Sequence, residues 1–357
     1  MHRRPTIREV AAKANLSIAT VSLFLNNSSK VGGETRKKIQ RVIDELGYTP
    51  RRSARGLASK LSGNIGFIVS EDHFTQAEPF YTRIFLGTEF EARDHEYYIL
   101  LTTVARQFSN RQSIPRFLLE GNVDGIILAG RIDERFVDHI EKLGLPIIMI
   151  DFQFPRRRLS SVQIDNRAGI VQAVYHLTAN AHTRIAFLGG DVGHPSVAER
   201  IAAYREALED TRIGYDDRLV MTDETNTTTY NGYHAAEQLL QRGAQPTAII
   251  AANDAMAIGC MQFLKSKGLR VPEDVAVVGF DDIEMSSHVD PRLTTVRVRK
   301  EELGRVAVQR LVESIKSKSS SVITVHVPVE LVIRESSMNP NINQIKKLPA
   351  VKVRLHG

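Results

Sequence analysis

The chain has 357 residues, of which 42% are hydrophobic and 25% are charged, an ordinary globular balance that suggests two or three domains. It contains no run of 18 apolar residues, and no apolar leader follows Met1, so neither a membrane span nor a secretory signal is expected. The single cysteine, Cys260, excludes an internal disulfide and a cysteine-cluster metal site. We therefore expect a cytoplasmic protein.

Positive charge is concentrated at the amino terminus. Residues 1–63 hold 13 lysines and arginines against 4 acidic residues, a net charge of +9, whereas the whole chain carries +6. A small basic head on a nearly neutral body is typical of a nucleic-acid-binding module attached to another domain. A solvated basic surface without a nucleic-acid partner is the alternative.

Three helices are predicted within the first 50 residues. A capping box formed by Thr6 and Glu9 begins the first helix, and Ser17 caps the second. Only three or four residues separate these two helices, which is the spacing of a helix-turn-helix. Gly47 ends the third helix at its C′ position. The predicted ranges are about 6–13, 18–25 and 34–46.

In a helix-turn-helix, the second helix enters the major groove of DNA. Val21 and Leu25 of this helix should face the core of the head. Short polar side chains on the other positions suit phosphate and base contacts. A three-helix bundle that binds no DNA is the alternative. The polar candidates are Ser17, Thr20, Ser22 and Asn26.

The segment at 48–60 is basic, and Gly56 makes it marginal as an isolated helix. A segment of this kind with one protruding leucine, Leu57, suits folding on DNA and wedging a minor-groove step. An ordinary interdomain linker is the alternative.

Beyond residue 63, short apolar runs alternate with helical patterns. This alternation predicts two doubly wound α/β lobes with ligand crevices at the carboxyl ends of their strands. The predicted strands are about 65–69, 98–101, 125–128, 146–150, 161–164, 184–188, 219–221, 247–251 and 275–278. The predicted helices are about 80–95, 109–120, 132–143, 166–180, 195–209, 228–242, 254–267 and 299–316.

An ordered set of short motifs runs through both parts of the chain. The head contains TIREVA at 6–11, SIATVS at 17–22, LN at 25–26, TR at 35–36, GYTP at 47–50 and GL at 56–57. The body contains VQIDN at 162–166, HTRIAFLGG at 182–190, YREAL at 204–208, ANDAMAIG at 252–259 and VAVVGFDD at 275–282. Together these motifs resemble the lactose-repressor/galactose-repressor family of bacterial transcription regulators over most of the chain.

The resemblance implies an α/β protein with a small all-α helix-turn-helix head, joined by a hinge helix to a two-lobed body. The body would have a periplasmic-binding-protein-like fold of two doubly wound parallel sheets. The tail lacks the leucine heptad that makes some family members tetramers, and it is expected to be disordered. The implied boundaries are 1–50 for the head, 51–63 for the hinge and linker, 64–336 for the effector-binding and dimerisation body, and 337–357 for the tail. Lobe one would hold 64–160 and 292–322, and lobe two would hold 161–291 and 323–336.

For the head, the resemblance implies a hinge helix at about 51–58 with Leu57 as its minor-groove lever. The two family specificity positions fall on Ile18 and Ala19, and a third position, often arginine, is Leu23. None of the three has a hydrogen-bonding side chain, so direct readout by them would be apolar. Gly32 stands where the family usually caps the third helix with serine. The DNA-binding candidates are Thr6, Ser17, Ile18, Ala19, Thr20, Ser22, Leu23, Asn26, Lys30, Thr35, Arg51, Arg55 and Leu57.

For the body, the resemblance implies an effector cleft lined by residues at strand and loop ends. Carboxylates, an amide and a guanidinium satisfy several ligand hydroxyls at once, and an aromatic ring stacks on a sugar face. Three neighbouring aspartates have a structural role as the alternative to a ligand contact. Asp165 and Asp254 would cap helices, and Asp282 would stabilise its turn. The effector-binding candidates are Phe80, Tyr81, Asp151, Arg200, Asn253 and Asp281.

The sequence thus predicts a homodimeric, nucleoid-associated transcription regulator that binds a pseudo-palindromic operator. Its effector would be a sugar or sugar derivative, although the same polar groups also suit a sugar phosphate or a nucleobase. The family resemblance favours induction, and corepression is the alternative. The competing hypothesis is a sugar-binding or sugar-modifying α/β protein with an incidental basic head. The loop Gly189–Gly193 lacks G-x-G-x-x-G spacing, and no histidine metal pattern or G-x-S-x-G elbow occurs. We therefore expect no enzyme activity, no metal and no cofactor.

Overall fold

The structure, a computed structural model, describes residues 5–25, 28–48, 61–73, 80–110, 113–317 and 321–338. Four predicted DNA-binding residues, the hinge helix and most of the tail lie outside these ranges. The four residues are Asn26, Arg51, Arg55 and Leu57. No helix within the described ranges is long and apolar enough to cross a membrane.

The described part of the head holds three helices whose ends follow the predicted capping residues. Thr6 and Glu9 form the complete capping box, and the amide of Thr20 donates to Oγ of Ser17 at 3.0 Å. Gly32 precedes the third helix without a side-chain cap, and Gly47 ends it in the left-handed region at φ +59°. The helices are α1 (Ile7–Ala14), α2 (Ile18–Leu25) and α3 (Gly33–Leu46).

A small apolar core holds these helices together. Val10, Val21 and Ile39, one from each helix, are fully buried in it, and Leu25 packs against them partly buried, as predicted. Burial of this stripe leaves the opposite face of α2 exposed to solvent.

The body alternates strands and helices as predicted. Its first run of elements is β1 (Asn64–Ser70), α4 (Phe80–Asp94), β2 (Tyr98–Val104), α5 (Arg116–Leu119), β3 (Gly125–Ala129), α6 (Glu134–Glu141), β4 (Ile147–Ile150) and β5 (Ser160–Ile164). The second run is α7 (Asn166–Ala179), β6 (Ile185–Leu188), α8 (Pro195–Asp210), β7 (Val220–Met221), α9 (Thr229–Gln241), β8 (Ala248–Ala251), α10 (Asp254–Ser266), β9 (Ala276–Asp281) and β10 (Thr294–Arg297). The last elements are α11 (Lys300–Ser317), β11 (Thr324–Val327) and β12 (Glu330–Val332).

The described strands form two sheets with the same internal order. The first sheet runs β11-β5-β4-β3-β1-β2, and the second runs β12-β10-β9-β8-β6-β7. Their pairings are parallel except that between β10 and β12, which is antiparallel. The order reverses next to β1 in one sheet and next to β6 in the other. Ligand crevices in such sheets lie beyond the strand carboxyl ends at this switch point.

The sheet order corrects the predicted division of the body. β5 belongs to the first sheet, where it pairs with β4 and β11, and β10 belongs to the second, beside β9. The chain crosses between lobes after Ile164, Arg297 and Val327, rather than near 160, 292 and 322. A strand buried on both faces carries no pattern that shows which of two sheets it joins.

Two further expectations were wrong. The helix predicted at 109–120 is only α5, because Pro115 disfavours helical backbone in the residue before it and so delays the start. Ser337, predicted to open the disordered tail, is buried, and its Oγ donates to Oγ1 of Thr294 at 2.7 Å.

In each lobe, one pair of helices crosses closely at glycines. Gly87 and Gly304 face each other's helices in the α4–α11 pair, and Gly232 and Gly259 do the same in the α9–α10 pair. A Cβ atom at any of these positions would lie 1.9–2.1 Å from a carbonyl oxygen of the facing helix. Only glycine allows the backbones to approach this closely.

Candidate functional site

Asp151 connects the two lobes at the centre of the cleft. It follows β4, is 6% exposed and has a φ of +58°. One carboxylate oxygen accepts a hydrogen bond from the Tyr81 hydroxyl of α4, and the other accepts one from the Ser196 hydroxyl of α8, each at 2.9 Å. Because Ser196 belongs to the second lobe, this carboxylate joins the two lobes.

Arg200 lies buried in α8, where its guanidinium is held on three sides. Nε donates to Oδ1 of Asn166 at 2.8 Å, and Nη1 donates to the carbonyl of Ala252. The guanidinium carbon lies 3.6 Å from the centre of the Phe280 ring, a stacked cation–π contact. Burial lowers the pKa of Arg200, while the charge of Asp281 opposes that shift.

Asp281 ends β9, and its carboxylate lies near enough to Arg200 and Lys300 to interact with their charges. Its φ of +114° is unusual for a residue with a side chain, and strained backbone of this kind is frequent at functional sites. Burial raises the pKa of Asp281 to about 7, against the lowering effect of Arg200 and Lys300. Among the described residues, no group donates a hydrogen bond to this carboxylate. It is therefore the acceptor in the cleft that is most available to a ligand.

Lys300, which the sequence analysis missed, completes the charge arrangement. It opens α11, is 4% exposed and donates from Nζ to the backbone carbonyl of Asp281. Nζ also lies 5.7 Å from the centre of the Phe80 ring. A buried cation at a helix amino terminus opposes the helix dipole, so nearby carboxylates must compensate it. In the sequence, Lys300 stands among Arg299, Glu301 and Glu302, so it resembles an ordinary surface residue.

The aromatic candidates lie on the first-lobe side of the cleft. Phe80 and Tyr81 begin α4, with their ring centres 5.1 Å apart in an edge-to-face contact. Tyr81 is buried, and burial together with the nearby Asp151 charge raises the pKa of its hydroxyl. Phe80 is only partly buried, so its ring remains available to a ligand face.

Asn253 is positioned at the cleft, yet its amide is already engaged. Its Oδ1 accepts from the amide of Met256 as the cap of α10, and its Nδ2 donates to the carbonyl of Thr227, both at 2.9 Å. A ligand contact with Asn253 would share these groups.

The three neighbouring aspartates have structural partners. Asp165 caps α7 through the amide of Ala168, and Asp282 pairs with Arg297 and Arg334. Asp254 does not act as a helix cap. It is fully buried and accepts hydrogen bonds from the Ser286 and Thr295 hydroxyls and from the amide of Ile283. Burial raises the pKa of Asp254 to about 6.

A second set of missed residues spans the lobes beside Asp151. Arg131, after β3, pairs with Asp191, after β6, with Nη1 and Oδ2 2.8 Å apart. The His194 ring contacts the Phe152 ring at 5.7 Å, and burial lowers the pKa of His194. Within the described ranges, no three histidine, cysteine or acidic residues converge as metal ligands.

The nine described DNA-binding candidates occupy the outer surface of the head. Ile18, Ala19 and Leu23 are exposed on α2, and Ser22 beside them is half-buried. The Ser17 and Thr20 hydroxyls bond to each other at 2.8 Å. Thr6 and Lys30 are exposed, and Thr35 is half-buried in the first turn of α3.

A helix-turn-helix head, together with a two-lobed body that has a polar crevice between its sheets, defines a class of ligand-responsive DNA-binding regulators. Comparison with known proteins agrees. Residues 6–51 match the model of bacterial regulatory proteins of the lacI family, and residues 174–337 match a periplasmic binding protein-like domain.

Full-length relatives and solved structures extend the match. The chain is 34% identical to the HTH-type transcriptional regulator CelR of Thermobifida fusca over 338 residues, which cover 94% of this chain and 98% of the relative. A solved CelR–cellobiose complex is 33% identical and has a TM-score of 0.70, with 93% and 100% of the two chains covered. A lac repressor dimer bound to operator and an anti-inducer is 29% identical and has a TM-score of 0.77, with 94% and 100% covered. The chain belongs to the lacI family of bacterial transcription regulators.

Proposed function

We propose that this regulator is a homodimeric repressor that binds a pseudo-palindromic operator and releases it when a sugar occupies the cleft. The observation that carries the proposal is the Asp281 carboxylate, which interacts with the charges of Arg200 and Lys300 and accepts no hydrogen bond from the described residues. A carboxylate and a stacked guanidinium suit the paired hydroxyl groups of a sugar ring. The cellobiose complex of CelR and the operator complex of the lac repressor dimer support this assignment by similarity.

The coupling follows from contacts that cross the lobes. A ligand that contacts both lobes favours one relative orientation, and differential affinity for two orientations is what shifts an equilibrium. Asp151, which bonds to Tyr81 in one lobe and Ser196 in the other, lies where such a ligand would act. We infer that the sugar-bound orientation weakens operator binding through the segment at 51–63. The operator-bound protein would then be cytoplasmic and associated with the nucleoid.

An operator titration with a panel of sugars, beginning with cellobiose, tests the assignment. Asp281→Asn and Arg200→Lys should bind operator like the unmodified protein but require about 5- to 150-fold more sugar for release, because a buried polar group is left poorly paired. Asp210→Asn and Arg205→Ala, which change exposed residues of α8, are the controls. If both cleft variants respond normally, the cleft assignment is wrong.

A sugar-modifying enzyme is the competing function. CelR and the lac repressor, which each match 94% of this chain, are transcription regulators, and we propose that this chain has no catalytic activity. Incubation of each sugar of the panel with the protein, followed by mass spectrometry, should return the sugar unchanged.

A further inference from the structure

The outward face of α2 is apolar, although it belongs to the most basic part of the chain. Ile18 is 47% exposed, Leu23 is 39% exposed, and Ala19 between them is also exposed. Residues three and four apart are neighbours on a helix, so these side chains and Ser22 form one patch opposite the buried Val21. Apolar side chains grouped on one exposed helix face suit contact with a partner.

The two polar side chains at the start of the helix leave this patch apolar. Oγ of Ser17 and Oγ1 of Thr20 lie 2.8 Å apart in a mutual hydrogen bond, and Oγ of Ser17 also accepts from the Thr20 amide. Both hydroxyls are thus engaged within the helix. What the patch presents outward is methyl and branched alkyl groups together with the single hydroxyl of Ser22.

The occupant of this patch follows from the charge around it. Residues 1–63 carry a net charge of +9, which fits a polyanionic duplex, and α2 is the helix that enters the major groove in this fold. Among the four bases, only thymine presents an apolar group in that groove, its C5-methyl. We propose that Ile18, Ala19 and Leu23 select operator sequence by packing against thymine methyl groups. This inference rests on the proposed function as a DNA-binding regulator.

Thymine-to-uracil exchange tests the proposal because it removes the methyl group and nothing else. Preferred sites are first selected from a random duplex library with the full-length protein. Each thymine of the best site is then replaced by deoxyuridine. Loss of one buried methyl group should weaken binding about fourfold, and loss of both symmetry-related methyls about 15-fold. Ile18→Ala or Leu23→Ala should bind the thymine and uracil sites with nearly equal affinity.

Lys30→Ala is the matched control, since an exposed lysine contacts phosphate and should weaken both sites equally. Thermal unfolding of each variant checks that the head remains folded. If no deoxyuridine replacement weakens binding, or if both apolar variants keep full discrimination, the patch does not contact thymine. That result leaves the DNA-binding function intact, whereas a protein that selects no site at all contradicts both proposals.

Discussion

Arg131 and Asp191 form an ion pair across the mouth of the cleft, with Nη1 and Oδ2 2.8 Å apart. Arg131 follows the third strand of the first lobe, and Asp191 follows the first strand of the second. Oδ1 of Asp191 also accepts from the amide of Gly193, which fixes the loop that carries it. The side chains are 41% and 34% exposed, so the pair is solvated and sensitive to salt.

Removal of this pair should weaken the contact between the two lobes. Arg131→Ala should weaken sugar binding by up to about fivefold, the upper range for an exposed pair, and should reduce the dependence of binding on ionic strength. Calorimetric titration at low and high salt measures both effects. Arg135→Ala, which removes a pair with Asp133 inside one lobe, is the control. Arg131→Lys, which keeps the positive charge and leaves Asp191 in place, should recover much of the affinity, and failure to do so would contradict a role of the pair in joining the lobes.

The close approach of α4 and α11 at their glycines predicts how a substitution there changes stability. A Cβ atom at position 304 would lie 2.1 Å from the carbonyl oxygen of Ile84, so Gly304→Ala must push the helices apart. Overpacking of this kind costs about 1–3 kcal/mol. Urea unfolding of the full chain measures the loss. Gly214→Ala is the control, because a Cβ atom there meets nothing within 4 Å. Equal stability of the two variants would show that the crossing relaxes freely.

Most strands of the body were predictable because their apolar runs end at polar or glycine residues. The run at 65–69 corresponds to Asn64–Ser70, and the run at 125–128 to Gly125–Ala129. Sheet membership was not predictable, since β5 and β10 look alike as buried strands, and only their hydrogen-bonding partners assign them to different sheets.

The position of a site residue was predictable where its functional group stands at the end of a strand. Tyr81, Asp151, Arg200 and Asp281 do lie close together. That they line an effector cleft is what the family resemblance implied, and it stays a prediction. Whether each group is free or engaged depends on distant residues. Lys300 and the Arg131–Asp191 pair were missed for the same reason: their partners are 19 and 60 positions away in the sequence.

Two histidines beneath the last described segment should make the fold sensitive to acid. Nε2 of His176 lies 2.8 Å from Oγ of Ser337, and Nε2 of His182 is buried without a partner in the described part of the chain. Burial lowers the pKa of both histidines below 6.5. The unfolded chain therefore binds more protons, and the stability present above pH 6.5 is lost as the pH falls below it.

His182→Gln should remove part of this dependence. Between pH 7.5 and 5.5, the unmodified protein should lose up to about 1 kcal/mol more stability in urea unfolding than the variant does. His288→Gln, at an exposed position, should lose as much as the unmodified protein. An unchanged loss in His182→Gln would place the acid sensitivity elsewhere.

The pKa of about 7 at Asp281 predicts that sugar binding itself depends on pH. A sugar hydroxyl donates a stronger hydrogen bond to the ionised carboxylate than to the neutral carboxyl, and the ionised form is favoured above pH 7 and lost below it. Affinity measured by calorimetry should therefore rise with pH by up to tenfold per unit until about pH 7 and then level off. Asp281→Asn should bind more weakly and lose the rise near pH 7, while any remaining dependence at lower pH would come from Asp254, whose pKa is about 6, or from His194, whose pKa is lowered by burial. An identical profile in Asp281→Asn would show that this carboxylate does not accept the sugar hydroxyl.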